Sequence, residues 1–299
     1  MSEPARLHHT FKAMGSPCEL VLEGSSLSLL EQASERAVAE IARIEQKYSR
    51  YRPESLLSRI NAQAGLTPVP LDDETASLLR FADQIYRASE GLFDITSGVL
   101  RRAWAPGLAA LPSEQDLAPL LGLIGWERVR WSDTEVFLPE IGMQLDFGGF
   151  GKEYAVDRAT DLLAHMGVAH GYVNLAGDMR CLGPRANGEA WRIGIQHPRD
   201  SGAVLAVLEL SGGALATSGD YERAIWVEGE PYGHVLHPKT GNSVRGWQSV
   251  SVMAPLAVLA GAAATTAMLL ESKGLSFLHQ TGLGFLARDH LGASHTSSH

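Results

Sequence analysis

The sequence predicts a layered α+β fold, with helices towards both ends of the chain and most strands in its second half. Three observations carry that expectation. Apolar residues recur at helical spacing in three early segments, short strand-like runs take over after Gly171, and an alanine-rich helix follows Pro255. Strands that cluster, instead of alternating one by one with helices, argue against a regular βαβ arrangement.

An opening strand pair is expected at about 7–11 and 19–22. A long amphipathic helix follows, carried by Leu27, Leu30, Ala37, Ile41, Ile44 and Tyr48, with Ser28 and Glu31 at capping-box spacing. A second helix is expected over about 74–89, entered through Asp72 and Asp73 and followed by Gly91. A third runs over about 152–166 and stops at Gly167. The stretch 104–115 holds Pro and Gly without periodicity and reads as a surface excursion. Later strand-like runs fall at 171–175, 191–196, 204–210, 223–229 and 247–254.

The 299 residues and 45% hydrophobic content leave room for one large domain or two intimately packed lobes. A single domain is expected over 7–290, with a frayed polar tail at 291–299. A formal charge of −9 argues against nucleic acid or an anionic membrane as main partner. The N-terminal residues hold no apolar signal core, and the most apolar run, 254–270, is short for a membrane span. A cytoplasmic chain without a membrane span is therefore expected. Cys18 and Cys181 form no metal or redox pattern and are expected as buried thiols in strands.

Five segments bear groups suited to chemistry. In LDFGGFGKEYAVD (145–157) a strand is expected to end at Asp146 and a helix to start near Lys152. Free amides, carbonyls and a cation then meet at one point, which suits a diphosphate with its metal. A plain strand-to-helix turn with a solvated lysine reads the same letters. In GLFDIT (91–96) Asp94 is either a ligand contact beside the apolar wall of Phe93 or an Asx-turn. Thr217 and Ser218, in GALATSGDYER (213–223), suit phosphate oxygens or an ordinary hairpin turn.

In HVLHPKTG (234–241) an imidazole at a strand end suits general-base work, though a hydrogen-bonded turn histidine fits as well. Zinc is not expected, since no third ligand arrives at the right spacing. In LAGAAATTAMLL (259–270) positions 262 and 266 share one helical face. Thr266 offers a hydroxyl there, whereas position 262 is alanine; close packing of a buried helix explains the stretch equally.

Taken in order, and joined by FKAMGSP, YSRYRPESLLSRIN and VNLAGD, these segments resemble the signature segments of the ApbE-type FAD:protein FMN transferases over about 11–270. The resemblance implies mixed or antiparallel sheets with flanking helices, FAD as substrate and Mg²⁺ as cofactor. It implies that FAD is split, FMN is attached by a phosphoester to a threonine of a partner flavoprotein, and AMP leaves. That acceptor threonine would sit in a short Gly-Ala-Thr-containing motif.

By resemblance, FAD contacts fall on Met14, Tyr51, Leu92, Phe93, Asp94, Asp146, Lys152 and Leu236, with Thr217 and Ser218 near the same site. His234 matches the residue that assists deprotonation of the acceptor hydroxyl. The metal is expected from the Gly149 carbonyl, from Thr266, and from an Asp that here is Ala262. Three further departures stand out. Glu153 follows the lysine where glycine is common, Ala176 replaces the first glycine of Gly-Gly-Asp, and His237, a potential cation near the phosphates, precedes Pro238. A displaced acid, Asp178, Asp220 or Glu153, is a candidate for the missing carboxylate. Two other activities fit the resemblance: a non-catalytic flavin-binding relative, and an FAD pyrophosphatase giving FMN and AMP.

Overall fold

A computed structural model describes residues 4–297 apart from 106 and 223. The chain begins with β1 (Ala5–Ala13), β2 (Ser16–Gly24), α1 (Leu27–Tyr48), α2 (Leu56–Ala62), β3 (Val69–Pro70) and α3 (Asp73–Ala88). Next come α4 (Glu114–Leu121), β4 (Arg130–Trp131), β5 (Glu135–Phe137) and α5 (Gly151–His165). The strand-rich part holds β6 (His170–Leu175), β7 (Asp178–Gly183), β8 (Trp191–His197), β9 (Asp200–Leu210), β10 (Gly213–Gly219), β11 (Ile225–Val227) and β12 (Glu230–Tyr232). It closes with β13 (Trp247–Ala254), α6 (Ala257–Leu269), α7 (Gly274–Thr281), β14 (Gly284–Asp289) and β15 (Ser294–Thr296).

Eight strands form the central sheet in the order β1-β2-β6-β7-β10-β13-β14-β15, every neighbouring pair antiparallel. Alternation along β2 divides the interior in two. Leu20 and Leu22 join the main core with α1, α5 and α6, while Val21 points to the opposite face. There it meets Met179, Cys181 and Leu215, covered by Trp191, Ile195 and Leu210 of the β8–β9 hairpin. The result is the layered α+β arrangement expected from the sequence, with helices on one face and a hairpin on the other.

Local chemistry sets the boundaries. Ser26, not Ser28, caps α1: its side chain accepts from the Leu29 amide, so the capping box at Ser28 and Glu31 does not form. Leu30, Ala37, Ile41, Ile44 and Tyr48 then line the buried face. Asp72 caps α3 through the Thr75 amide. No strand precedes Asp146. Instead, the Asn61 amide holds both backbone groups of Leu145, and the Asp146 amide donates to the Ile95 carbonyl at 2.8 Å.

The stretch 104–115 is more ordered than a surface excursion. The buried Trp104 indole donates to the Gly241 carbonyl at 2.7 Å, and Ser113 and Asp116 cap α4 reciprocally. The tail also departs from expectation, because Ser294–Thr296 pair with β14; residues 298–299, and Arg223 in the run 223–229, lie outside the described residues. Both cysteines are free and buried, and burial pushes the Cys181 thiol up to about 12. Among the described residues no helix is long and apolar enough to cross a membrane.

Candidate active site

The first turn of α5 is where the chemically useful groups converge. A Cβ at Gly149 would lie 2.7 Å from the Phe93 ring, so only glycine lets the turn pass that wall. The helical bonding begins one residue later, with the Tyr154 amide donating to Phe150, and no described backbone amide donates to the Gly149 carbonyl. One turn on, Lys152 Nζ lies 2.6 Å from Asp178 Oδ2. Burial works against the ammonium charge, but Asp178 and then Glu153 outweigh it and raise the lysine pKa. Lys152 is therefore a lasting cation.

Asp178, at the start of β7, also accepts from the Thr217 amide at 3.0 Å. Thr217 and Ser218 lie near the end of β10 with their side chains on opposite faces. The Thr217 hydroxyl lies 2.8 Å from Ser251 on β13, and the Ser218 hydroxyl 2.8 Å from Thr265 on α6. Lys152 of α5, Asp178 of β7 and Ser218 of β10 thus share the helix face of the sheet, whereas Thr217 joins them only through its amide, its hydroxyl lying on the hairpin face with Leu215.

Glu153 faces α6 and is only 7% exposed. A Cβ at Gly261 would lie 2.6 Å from its Oε1, so the carboxyl group presses directly on the helix at that glycine. Its Oε2 is buried and has no hydrogen-bond partner. Burial, reinforced by the charge of Asp178, pushes the Glu153 pKa well up. Ala262 and Thr266 are both buried on α6. One turn along from Glu153, the two helices are tied by Asp157 in the middle of α5, which accepts from the Ala257 and Val258 amides that open α6 at 2.9 Å each. Among the described residues no group of three or more His, Cys, Asp or Glu is arranged to hold a metal.

A second cluster surrounds Asp146. Its carboxylate accepts from the Gly148 amide at 2.8 Å and pairs with Arg50 at 3.0 Å and Arg101 at 3.4 Å. The Arg50 guanidinium also lies over the Tyr51 ring, 4.9 Å from its centroid, and that ring is 79% exposed. Sequence reasoning missed both arginines, although Arg50 sits inside the quoted YSRYR run.

Asp94 resolves towards the local reading. It is buried and accepts from the Thr96 amide and hydroxyl and the Trp126 amide, an Asx-turn with burial raising its pKa. It also lines a cleft of about 310 Å³ with Tyr86, Gly125, Glu127, Pro238 and Lys239. Neither Lys152 nor His234 lines that cleft. Leu92 is buried in the main core, and Met14 holds a left-handed φ of 52° at the β1–β2 turn.

The His234 ring sits with Nδ1 2.9 Å from the Glu222 carbonyl. A carbonyl only accepts, so Nδ1 carries the proton and Nε2 is the acceptor nitrogen of the neutral ring. Leu236 bridges to Ser243. His237 is not the cation its position allowed: burial pushes its pKa down, and its Nδ1 accepts from the Lys239 amide.

The sequence profile of the ApbE family matches residues 14–286. An FAD:protein FMN transferase of Chlamydia pneumoniae is 31% identical over 263 residues, covering 85% of this chain and 82% of its own. The Escherichia coli K12 protein of the same name is 27% identical over 298 residues, covering 94% and 85%. The crystal structure of the ApbE protein from Thermotoga maritima superposes with a TM-score of 0.91 at 29% identity, covering 98% and 97% of the two chains. A flavin transferase ApbE from Vibrio cholerae shares the fold at 23% identity, with a TM-score of 0.87 over 99% and 98%.

Proposed function

We infer the chemistry of this chain from one premise, that it belongs to the ApbE family: it is an FAD:protein FMN transferase. The single observation that supports this at the residue level is the Lys152–Asp178–Thr217 joint at the first turn of α5. A half-buried lysine on the first turn of a helix suits a dianionic diphosphate.

In the proposed reaction, the hydroxyl of an acceptor-protein threonine attacks the FMN-side phosphorus of FAD. The bond from that phosphorus to the bridging oxygen breaks, and AMP leaves with the oxygen. His234 Nε2 takes the hydroxyl proton, because Nδ1 is already protonated against the Glu222 carbonyl. Lys152 offsets charge that builds on the phosphate oxygens. Ser218 orients those oxygens, the buried Phe93 backs the turn at Gly149, and Arg50 with Tyr51 brackets the ring system from the exposed side. Met14, Asp94, Asp146 and Leu236 complete the proposed FAD surface.

Mg²⁺ fits the donor types available. The Gly149 carbonyl, the Thr266 hydroxyl and the partnerless Glu153 Oε2 are hard oxygen donors, as this cation prefers. Once bound, it would supply Lewis-acid stabilisation of the diphosphate.

The name carried by these relatives supports transfer over hydrolysis or passive flavin binding. Incubating the protein with FAD, Mg²⁺ and a threonine-bearing acceptor domain tests the reading. An acceptor heavier by one esterified FMN is the result we expect. Free FMN with AMP, or intact bound FAD, would overturn it in favour of one of the other two activities.

A further inference from the structure

We propose that Glu153 supplies the carboxylate ligand of the divalent cation, in place of the aspartate missing at position 262. This rests on the transferase reading above. Three acids stand near enough in the sequence motifs to be considered, and their surroundings separate them. Asp220 is held by both terminal nitrogens of Arg199, at 2.7 and 2.6 Å. Asp178 is engaged by Lys152 and by the Thr217 amide. Glu153 alone of the three keeps a buried oxygen with no partner.

Its placement is specific as well. The carboxyl group presses on α6 at Gly261, the residue immediately before Ala262, where any side chain would collide with Oε1. An acid on the first turn of α5 therefore meets α6 at the residue next to the one where the resemblance expects a carboxylate. The Gly149 carbonyl precedes Glu153 on the same turn, and Thr266 lies one helical turn beyond Ala262. A buried, unpartnered carboxyl oxygen is costly unless something satisfies it. A dication bound there removes that cost and supplies the carboxylate that Mg²⁺ sites ordinarily include.

The test measures metal binding directly, using Mn²⁺ as probe and the electron paramagnetic resonance of free Mn²⁺ as readout, with and without FAD. Wild type, Glu153→Gln, Glu153→Gly and the double variant Glu153→Gly with Ala262→Asp are compared. Glutamine keeps the shape and donates to Asp178, so the fold is retained, which thermal melting checks. We expect Glu153→Gln and Glu153→Gly to weaken Mn²⁺ by at least the ~10–100-fold typical of losing an outer-shell partner. The double variant returns affinity towards the wild-type value.

Unchanged Mn²⁺ affinity in Glu153→Gln overturns the proposal and makes Glu153 a buried neutral acid hydrogen-bonded to Asp178. Absence of Mn²⁺ binding by wild type overturns it too. FMN transfer by wild type is scored separately. Transfer with Mn²⁺ binding indifferent to Glu153 sinks this assignment alone, while Glu153-dependent Mn²⁺ binding without transfer sinks the functional reading alone.

Discussion

Two charged clusters flank α5, and they are built on opposite principles. On its outer side Arg43, Lys47 and Arg158 face Glu40, Asp72 and Glu74. Glu74 is the hub, taking Arg43 at 2.6 Å, Lys47 at 2.6 Å and the Tyr154 hydroxyl at 2.8 Å. Three cations answer three acids, and the cluster closes on itself. At the first turn of the same helix one lysine answers two acids, Asp178 and Glu153, and a carboxyl oxygen is left over. A balanced network pins α1, α3 and α5 together; a network short of one positive charge is a receptor.

The largest effect expected from disturbing this contrast is at Lys152. Lys152→Met leaves two acids buried without their cation, and breaking a buried pair from one side costs about 3–5 kcal/mol. Loss of a charge-stabilising donor also slows such reactions by roughly 10²–10³-fold. Urea denaturation and the mass of the acceptor check the two arms. Next comes His234→Gln, which should slow FMN transfer by about 10²–10⁴-fold while leaving FAD binding nearly intact. Stopped assays at saturating FAD, paired with flavin-fluorescence titration, separate the two.

The outer cluster should respond in stability only. Glu74→Gln is expected to cost about 2–3 kcal/mol, the scale of a charge-assisted hydrogen bond, with transfer unchanged. Burial opposes the Glu74 charge, but Arg43, Lys47 and Tyr154 outweigh it and hold its pKa far below the ordinary 4.5. Its contribution is therefore complete above 4.5 and is lost as the pH falls from there towards the depressed native value. Denaturation midpoints of wild type and Glu74→Gln should differ at neutral pH and converge in acid.

The smallest effect lies in the hairpin that delivers Asp178. Ala176 and Gly177, between the paired Leu175 and Asp178, both have positive φ, at 54° and 94°. A two-residue turn of that kind favours glycine at both places. Ala176→Gly should stabilise the protein by about 0.5–1 kcal/mol without altering transfer, read by thermal melting.

How much of this the letters disclosed follows from physical range. The stripe in α1 and the glycines flanking α5 act over a few residues, so those helices were legible. The seven-residue α2 and eight-residue α4, the latter with Pro119 inside, are too short for periodicity to declare. Asp146 was misplaced at a strand end because side-chain bonds from Asn61, 84 residues away, hold that segment straight. Motif order exposed Lys152, Thr217 and His234. The pairing of Arg50 with Asp146, 96 residues apart, and the pressure of Glu153 on Gly261 exist only after the sheet has assembled. Asp94 shows the converse: its Asx-turn was readable locally, and the local account is what the fold uses.

The clasp that Asp157 makes on the first amides of α6 has a consequence for how a ligand is received. It fastens the middle of α5 to the first turn of α6, so the position of the first turn of α5 against its neighbours is set during folding. A nucleotide arriving there need not assemble its own berth, and the ordering entropy that a loose pair of helices would charge against binding has already been settled.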